Sequence, residues 1–139
     1  MDDKENITKH LEFTQGVINR LANNSFLIKG WSMTILAAAI LFIARVDNAY
    51  SSYLTLAFMI PVIGFWILDG YFLWQERLFR GIYNDVRKQE STDFAMDIPT
   101  QLNKPNNKWC NATFSITLNI FYIMEITFIG FVSYILSCN

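Results

Sequence analysis

Residues 53–74 read YLTLAFMIPVIGFWILDGYFLW, a run in which Asp69 is the only charged side chain. A helix crosses the hydrocarbon core of a bilayer, about 30 Å thick, with roughly 20 predominantly apolar residues. The run has that length and that composition, and polar segments flank it on both sides. It therefore predicts one membrane-spanning helix, and this helix decides the class of the whole protein.

Two further apolar blocks lie on either side of this run. Residues 112–136 hold one charge, Glu125, and residues 26–46 hold Lys29 and Arg45 near their ends. Long basic side chains reach from a helix end toward the headgroup layer, so the block at 26–46 also has the length to span. The alternative is a buried helix of a soluble fold, but two longer apolar blocks would then lack a soluble partner.

Composition supports the membrane interpretation and excludes several classes. Of the 139 residues, 53% are hydrophobic and only 17% are charged, against about 25% charged in average soluble domains. This composition excludes a disordered chain, a disulfide scaffold and an ordinary water-soluble domain. The net charge of −1 gives no basic field, so no nucleic-acid partner is expected.

Lysine and arginine counts predict the orientation of the spans, because such residues concentrate on the cytoplasmic side. Residues 1–29 hold four of them and residues 75–111 hold six, whereas Arg45 is alone between the first two blocks and none follows residue 136. The N-terminus and the segment 75–111 are therefore expected in the cytoplasm. The turn at 46–52 and the C-terminus are expected outside.

The segments outside the membrane have helical patterns of their own. Residues 1–25 place Ile7, Leu11, Ile18 and Leu21 on one face, which predicts an amphipathic helix. It either lies on the membrane or against the cytoplasmic loop, or forms a seam between subunits. No breaker separates this helix from the first span, and Asn23-Asn24 and Gly30 are the only kink candidates.

The second span is predicted to continue past the membrane as a cytoplasmic helical extension that ends near residues 88–90. Gly81 is a candidate bend in it. Residues 93–98 then alternate apolar and polar, which predicts an extended segment with Phe94, Met96 and Ile98 on one face. Such a segment either adds to a strand of a neighbour or tucks against the helices of its own chain.

Together these patterns predict an all-α membrane protein. It has three transmembrane helices at 26–46, 53–74 and 112–136, an N-terminal amphipathic helix at 1–25, and a cytoplasmic helix and loop at 75–111. The sequence holds one histidine, His10, without a neighbouring ligand cluster, and no phosphate-binding or nucleophile motif. We therefore expect no enzyme activity, no metal site and no cofactor.

Ionisable residues inside the spans are the main functional candidates, since such groups are costly in lipid and face a bundle interior or a polar path. The candidate pore or intramembrane polar residues are Glu125, Asp69, Asn119 and Tyr122. The alternative is a structural cluster, in which Lys29 or Arg77 pairs with Asp69 and hydroxyls bond a neutral Glu125. The candidates for contact with an anionic ligand or with lipid headgroups are Lys29, Arg77, Arg80, Arg87 and Lys88.

Two stretches carry a resemblance to known proteins. Residues 17–34, VINRLANNSFLIKGWSMT, and residues 65–83, FWILDGYFLWQERLFRGIY, resemble small bacterial membrane proteins of unassigned function. In architecture the chain is also similar to the SLATT-type membrane effectors of bacterial anti-phage systems, which are encoded beside enzymes that make nucleotide signals. The resemblance implies a bacterial inner membrane and pores that depolarise the host, although this chain has a third span that the simplest SLATT-type proteins lack.

The leading hypothesis is an oligomeric inner-membrane effector that forms a pore or perturbs the bilayer in response to a cytoplasmic signal, with a role in anti-phage defence. Its expected partners are the lipid bilayer, further copies of the chain, and a cytoplasmic protein or nucleotide signal. The alternative is a non-conducting membrane scaffold or anchor that recruits a soluble partner through residues 75–108. A transporter subunit fits less well, because the three spans show no internal repeat.

Overall fold

The computed structural model describes residues 3–45, 48–105 and 107–137, without the side chains of 48–52, 136 and 137. The helices in these ranges are α1 (Asp3–Ile43), α2 (Asn48–Val86), α3 (Ile98–Leu102), α4 (Trp109–Thr113) and α5 (Ile116–Ser137). No strand occurs in the part of the chain that the structure describes. The predicted all-α class is confirmed, and α1, α2 and α5 are each long and apolar enough to cross a membrane. The first two residues of the predicted outward turn, 46–47, and the last two residues of the chain, 138–139, lie outside the described residues.

The first helix joins two elements that the sequence analysis separated. α1 runs without interruption over 41 residues and combines the predicted amphipathic helix with the first span. Neither Asn23-Asn24 nor Gly30 breaks it, since an isolated helix-interior glycine or asparagine costs only about 1 kcal/mol or less. At about 1.5 Å per residue α1 is about 60 Å long, roughly twice the thickness of a bilayer core. A bilayer core would therefore enclose only about half of α1 and leave the polar N-terminal half projecting.

The second helix lies antiparallel to the first. Lys29 of α1 contacts Asp69 near the middle of α2. The rings of Phe42 and Phe58 lie 6.2 Å apart near the end of α1 and the beginning of α2. α2 has 39 residues and continues well past the predicted span, as expected, but ends at Val86, shortly before the predicted end. The projecting parts of α1 and α2 thus lie side by side on the predicted cytoplasmic side.

The third span begins later than predicted. Helix α4 ends at Thr113, and α5 begins at Ile116 rather than continuing from residue 112. At the break, the Asn119 side-chain amide donates a hydrogen bond of 3.2 Å to the carbonyl oxygen of Phe114. This bond satisfies a carbonyl group that the interrupted helix leaves open.

The apolar core lies among the three long helices. Its buried residues are Leu36, Val62, Leu118, Tyr122 and Ile129. Near Glu125 on α5, Phe128 is 49% exposed and Ile129 is fully buried. Steps of four, three and four residues lead from Leu118 through Tyr122 and Glu125 to Ile129, so Ile129 lies on the buried face of α5 and Phe128 beside it. The outward faces of the spans are exposed and apolar, as expected for contact with lipid.

The segment after α2 folds back on its own chain. Phe94 packs its ring against His10, at 5.5 Å between centroids, and against Phe13, at 6.4 Å. Phe94 has a φ of 61°, so the predicted alternation of Phe94, Met96 and Ile98 on one face does not hold, and Ile98 begins α3. Of the two predicted roles, this segment takes the tucked one.

Helix α3 is held at its start and along its length. Asp97 accepts hydrogen bonds from the backbone N–H and the hydroxyl of Thr100, and these bonds keep the pKa of Asp97 below its ordinary value. Gln101 and Lys104 both donate to Asp85 of α2, at 2.6 and 2.9 Å. Helix α2 continues through Gly81 without a break. The lack of a side chain at Gly81 leaves room for the side chain of Gln101, which a β-carbon at this position would meet.

Candidate functional site

A buried ion pair joins the first two spans. The Lys29 Nζ atom lies 2.5 Å from Oδ2 of Asp69, whose side chain is completely buried. Ser25 Oγ donates to Oδ1 of the same carboxylate, and Lys29 Nζ also donates to Ser25 Oγ at 2.9 Å. The phenolic oxygen of Tyr122 on α5 donates to Asp69 Oδ2 at 3.1 Å. One carboxylate therefore binds groups from all three long helices.

This network accounts for three of the residues that the sequence analysis proposed for function. Asp69 and Tyr122 were candidates for a polar path, and Lys29 was a candidate for headgroup contact. In the structure Lys29 and Tyr122 both bind Asp69 inside a single chain, and the Lys29–Asp69 pair is one of the two pairs considered in the structural alternative. Of the two basic residues considered for Asp69, Lys29 is the partner, and Arg77 donates to the carbonyl oxygen of Asn111 at 3.1 Å.

Glu125 is different, because it lies deep in the bundle without a basic partner among the described residues. The Ser32 hydroxyl of α1 donates to Glu125 Oε2 at 2.6 Å. The side chain is only 3% exposed, and its other oxygen, Oε1, has no hydrogen-bond partner. An unsatisfied polar atom inside a bilayer costs several kcal/mol, so a polar partner for this oxygen would be stabilising.

A groove between α1 and α5 opens beside Glu125. Its volume is about 850 Å³, and it is lined on α1 by Met33 and Leu36. The α5 side contributes Glu125 and mainly apolar side chains, with Asn119 and Thr127 as the other polar ones. Asn119 Oδ1 is also buried without a hydrogen-bond partner. Thus Glu125 and Asn119, two of the four predicted intramembrane polar residues, border the same groove.

The basic residues that were predicted to be cytoplasmic do not form one cluster. Besides Arg77, which binds a carbonyl oxygen of α4, Arg80 forms an ion pair with Glu76 one turn earlier, at 2.7 Å. Arg87 and Lys88 follow the end of α2 and are exposed. These last two are the predicted ligand contacts that the fold leaves most open.

Several contributing residues were missed by sequence reasoning. Ser25 and Ser32 were not named as partners of the two carboxyl groups, although their seven-residue spacing places them on one face of α1. Thr113 was also missed; its carbonyl accepts a hydrogen bond from the Trp66 indole at 3.0 Å. The sequence signal that could have identified Ser25 and Ser32 is a serine at the predicted depth of an intramembrane carboxyl group.

No group of three or more potential metal ligands occurs in the described ranges. His10 is buried and contacts Thr92 Oγ1 through Nδ1 at 2.7 Å.

No protein family matches the chain, and neither the curated proteins nor the solved structures give a match.

Proposed function

We propose that the chain is a multi-pass membrane effector that assembles into a homo-oligomer and opens a polar path, or perturbs the bilayer, when a cytoplasmic signal engages it. The membrane would be a bacterial inner membrane, with the N-terminus in the cytoplasm and the C-terminus outside. The three long apolar helices support the membrane setting. The exposed Arg87 and Lys88 are the best placed residues to meet a signal.

The observation that carries this proposal is the state of Glu125. Intramembrane ionisable residues are rare and costly, and they usually mark ion or proton pathways. Asp69 is fully engaged by Lys29, Ser25 and Tyr122, so it has a structural role. Glu125 keeps one oxygen without a partner at the edge of an open groove, which favours a role at a path between subunits.

The test is the membrane potential of bacteria that express the protein, with and without its genomic neighbours. We expect the wild-type chain to depolarise the cells, and Glu125→Ala and Glu125→Gln to abolish that effect. The glutamine variant keeps the size and hydrogen-bonding capacity of the side chain but cannot ionise. It therefore separates an ion path from a structural hydrogen bond.

Glu76→Ala is the matched control, because Glu76 is also a mostly buried glutamate but lies beyond the predicted second span and pairs with Arg80. Membrane-fraction abundance should be the same for all variants. Depolarisation that persists in Glu125→Gln would contradict a path that depends on an ionisable group. Depolarisation that is lost equally in Glu76→Ala would show that the assay reports folding.

A second candidate function is a non-conducting scaffold that recruits a soluble partner. Two features favour it. The Lys29–Asp69 ion pair forms within one chain and needs no second subunit. Aromatic side chains also stay exposed on the projecting part, and Phe13 is 61% exposed. Purified protein in lipid vesicles distinguishes the two candidates. Ion flux across the vesicle membrane supports the pore, and its absence over a wide range of protein-to-lipid ratios supports the scaffold.

The similarity to SLATT-type effectors extends the first proposal to anti-phage defence. Under that proposal, cells with the chain and its genomic neighbours should resist phage infection, and cells carrying Glu125→Gln should not. The plating efficiency of phage on the two strains is the measurement. Equal plating efficiency on both strains would argue against the defence role while leaving the membrane activity itself open to the depolarisation assay.

A further inference from the structure

The groove between α1 and α5 is bordered by two residues whose polar atoms have no hydrogen-bond partner within the chain. Glu125 Oε1 and Asn119 Oδ1 are both buried without a hydrogen-bond partner, and both residues line the groove. Hydrocarbon tails of lipid fill an apolar groove but supply no polar atom. The occupant that suits this groove is therefore an apolar surface that carries a hydroxyl or amide at the depth of Glu125.

A surface of this kind lies on the outer side of α1 itself. We define the small-residue face of α1 as its exposed positions Gly30, Thr34, Ala37 and Ala38. No other side chain or distant backbone lies within 4 Å of the place that a β-carbon on Gly30 would occupy. Small residues four apart let a second helix approach closely in lipid, where association depends on packing and on hydrogen bonds between helices.

Depth places the hydroxyl of this face beside the unpartnered carboxyl oxygen. Ser32 lies at the level of Glu125, because the two side chains are hydrogen-bonded. Thr34 is two residues further along α1, which is only about 3 Å along the helix axis. Copies of one chain sit at the same depth in a membrane, so Thr34 of one copy reaches the level of Glu125 in the next.

The hydrogen-bond chemistry is also complementary. The Thr34 hydroxyl donates its proton to the carbonyl oxygen of Gly30 at 3.0 Å, and its oxygen keeps lone pairs that can accept. A neutral Glu125 carboxyl accepts from Ser32 through one oxygen and needs an acceptor for the O–H on the other. The pair Glu125 Oε1 and Thr34 Oγ1 meets that need.

We propose that the α1–α5 groove is the binding site for the small-residue face of α1 from a second copy of the chain, with Glu125 bonded to Thr34 of that copy. This inference rests on the homo-oligomer of the proposed function and names its contact. The groove and the small-residue face are different surfaces of one chain, so the contact is head-to-tail. Repetition of a head-to-tail contact builds a ring or an open chain of subunits rather than a closed pair.

Cysteine cross-linking tests this contact in membranes of cells that express the full chain. Both native cysteines are first replaced by serine, as Cys110→Ser and Cys138→Ser. Ala38→Cys is then combined with Phe131→Cys, because Phe131 borders the groove and lies six residues past Glu125, as Ala38 lies six past Ser32. Mild oxidation should give a ladder of dimers, trimers and larger species from the double variant. Each single variant should give no species beyond a dimer.

The matched control combines Ala38→Cys with Ile60→Cys. Ile60 is 72% exposed on the outward side of α2, close to the level of Phe42 and Phe58, so it meets lipid without bordering the groove. An equal ladder from this pair would show random collision and overturn the proposal. A double variant of Ala38 and Phe131 that stays monomeric would show that lipid fills the groove, which also overturns it.

Two further variants address the hydrogen bond itself. Thr34→Val and Glu125→Leu, each added to the cross-linking pair, should lower the ladder yield several-fold. Thr117→Val, which removes an exposed hydroxyl of α5 outside the groove, should leave the yield unchanged. An undiminished yield in both Thr34→Val and Glu125→Leu would refute the assigned pair.

The outcomes separate this inference from the proposed function. A ladder in cells that keep their membrane potential even with the genomic neighbours present supports the contact and contradicts the pore. Depolarisation by a chain that gives no ladder supports a conducting role and contradicts this contact.

Discussion

Replacement of Lys29 by methionine is expected to lower the free energy of unfolding by about 3–5 kcal/mol, the usual cost of removing one partner from a buried ion pair. Methionine keeps the length and apolar stem of lysine but leaves the Asp69 carboxylate without its cation, 2.5 Å from where Nζ was. Ser25 and Tyr122 cannot offset this loss, because both are neutral donors. Unfolding in mild detergent, followed by helical circular dichroism, is the measurement.

Two comparisons make the result specific. Arg80→Met removes a cation from an ion pair on the projecting part of α2, where Arg80 is 62% exposed, and should cost less than about 1 kcal/mol. The double variant Lys29→Met with Asp69→Leu removes both buried charges and should recover most of the lost stability. If Lys29→Met costs no more than Arg80→Met, Asp69 does not depend on this cation.

Residue depth let the sequence analysis consider an ion pair for Asp69 as an alternative, but depth alone left two basic partners for it. Lys29 and Arg77 were both within reach along the helix axis. The choice between them depends on which faces of the helices meet, and on α4, whose Asn111 carbonyl oxygen accepts a hydrogen bond from the Arg77 guanidinium. A helix of five residues is too short to give a periodic pattern in the sequence, so this contact could not be predicted.

The spans themselves were predictable because hydrophobic length is a local property of the sequence. The joins between elements were not. The break between Thr113 and Ile116 contains no proline or glycine, and it depends on tertiary contacts of α4 with Trp66 and Gly70. Likewise, the positive φ of Phe94 depends on its packing against His10 and Phe13, which are distant in sequence.

For the candidate site, the sequence identified the carboxyl groups but not their different environments. A charge within an apolar run is visible in any hydropathy scan, and both Asp69 and Glu125 were found in that way. Their surroundings depend on the opposing helix, which offers a lysine and a serine to Asp69 but a single serine to Glu125. That difference is the reason that we propose a structural role for Asp69 and a functional one for Glu125.

Replacement of Gly70 by alanine should destabilise the junction between α2 and α4 by about 1–3 kcal/mol, the usual cost of overpacking a tight contact. A β-carbon on Gly70 would lie 2.9 Å from the Cα atom of Thr113. The obstructing group is backbone, and the Thr113 carbonyl is held by the Trp66 indole at 3.0 Å, so α4 cannot move aside without losing that bond. We expect a lower midpoint of thermal unfolding in detergent and faster proteolysis between α3 and α5.

Gly64→Ala is the matched control, since the same substitution in the same helix meets nothing within 4 Å. Alanine is the better helix former, so this variant should be as stable as the wild type or slightly more stable. Gly81→Ala should fall between the two, because a β-carbon there meets the side chain of Gln101, which can rotate at the cost of its hydrogen bond to Asp85. The order of the three variants is therefore set by what each β-carbon meets: open space, a movable side chain, or backbone. Equal stability of Gly70→Ala and Gly64→Ala would mean that α4 does not pack on α2 at Gly70, and the start of the third span would then be free to move relative to the first two.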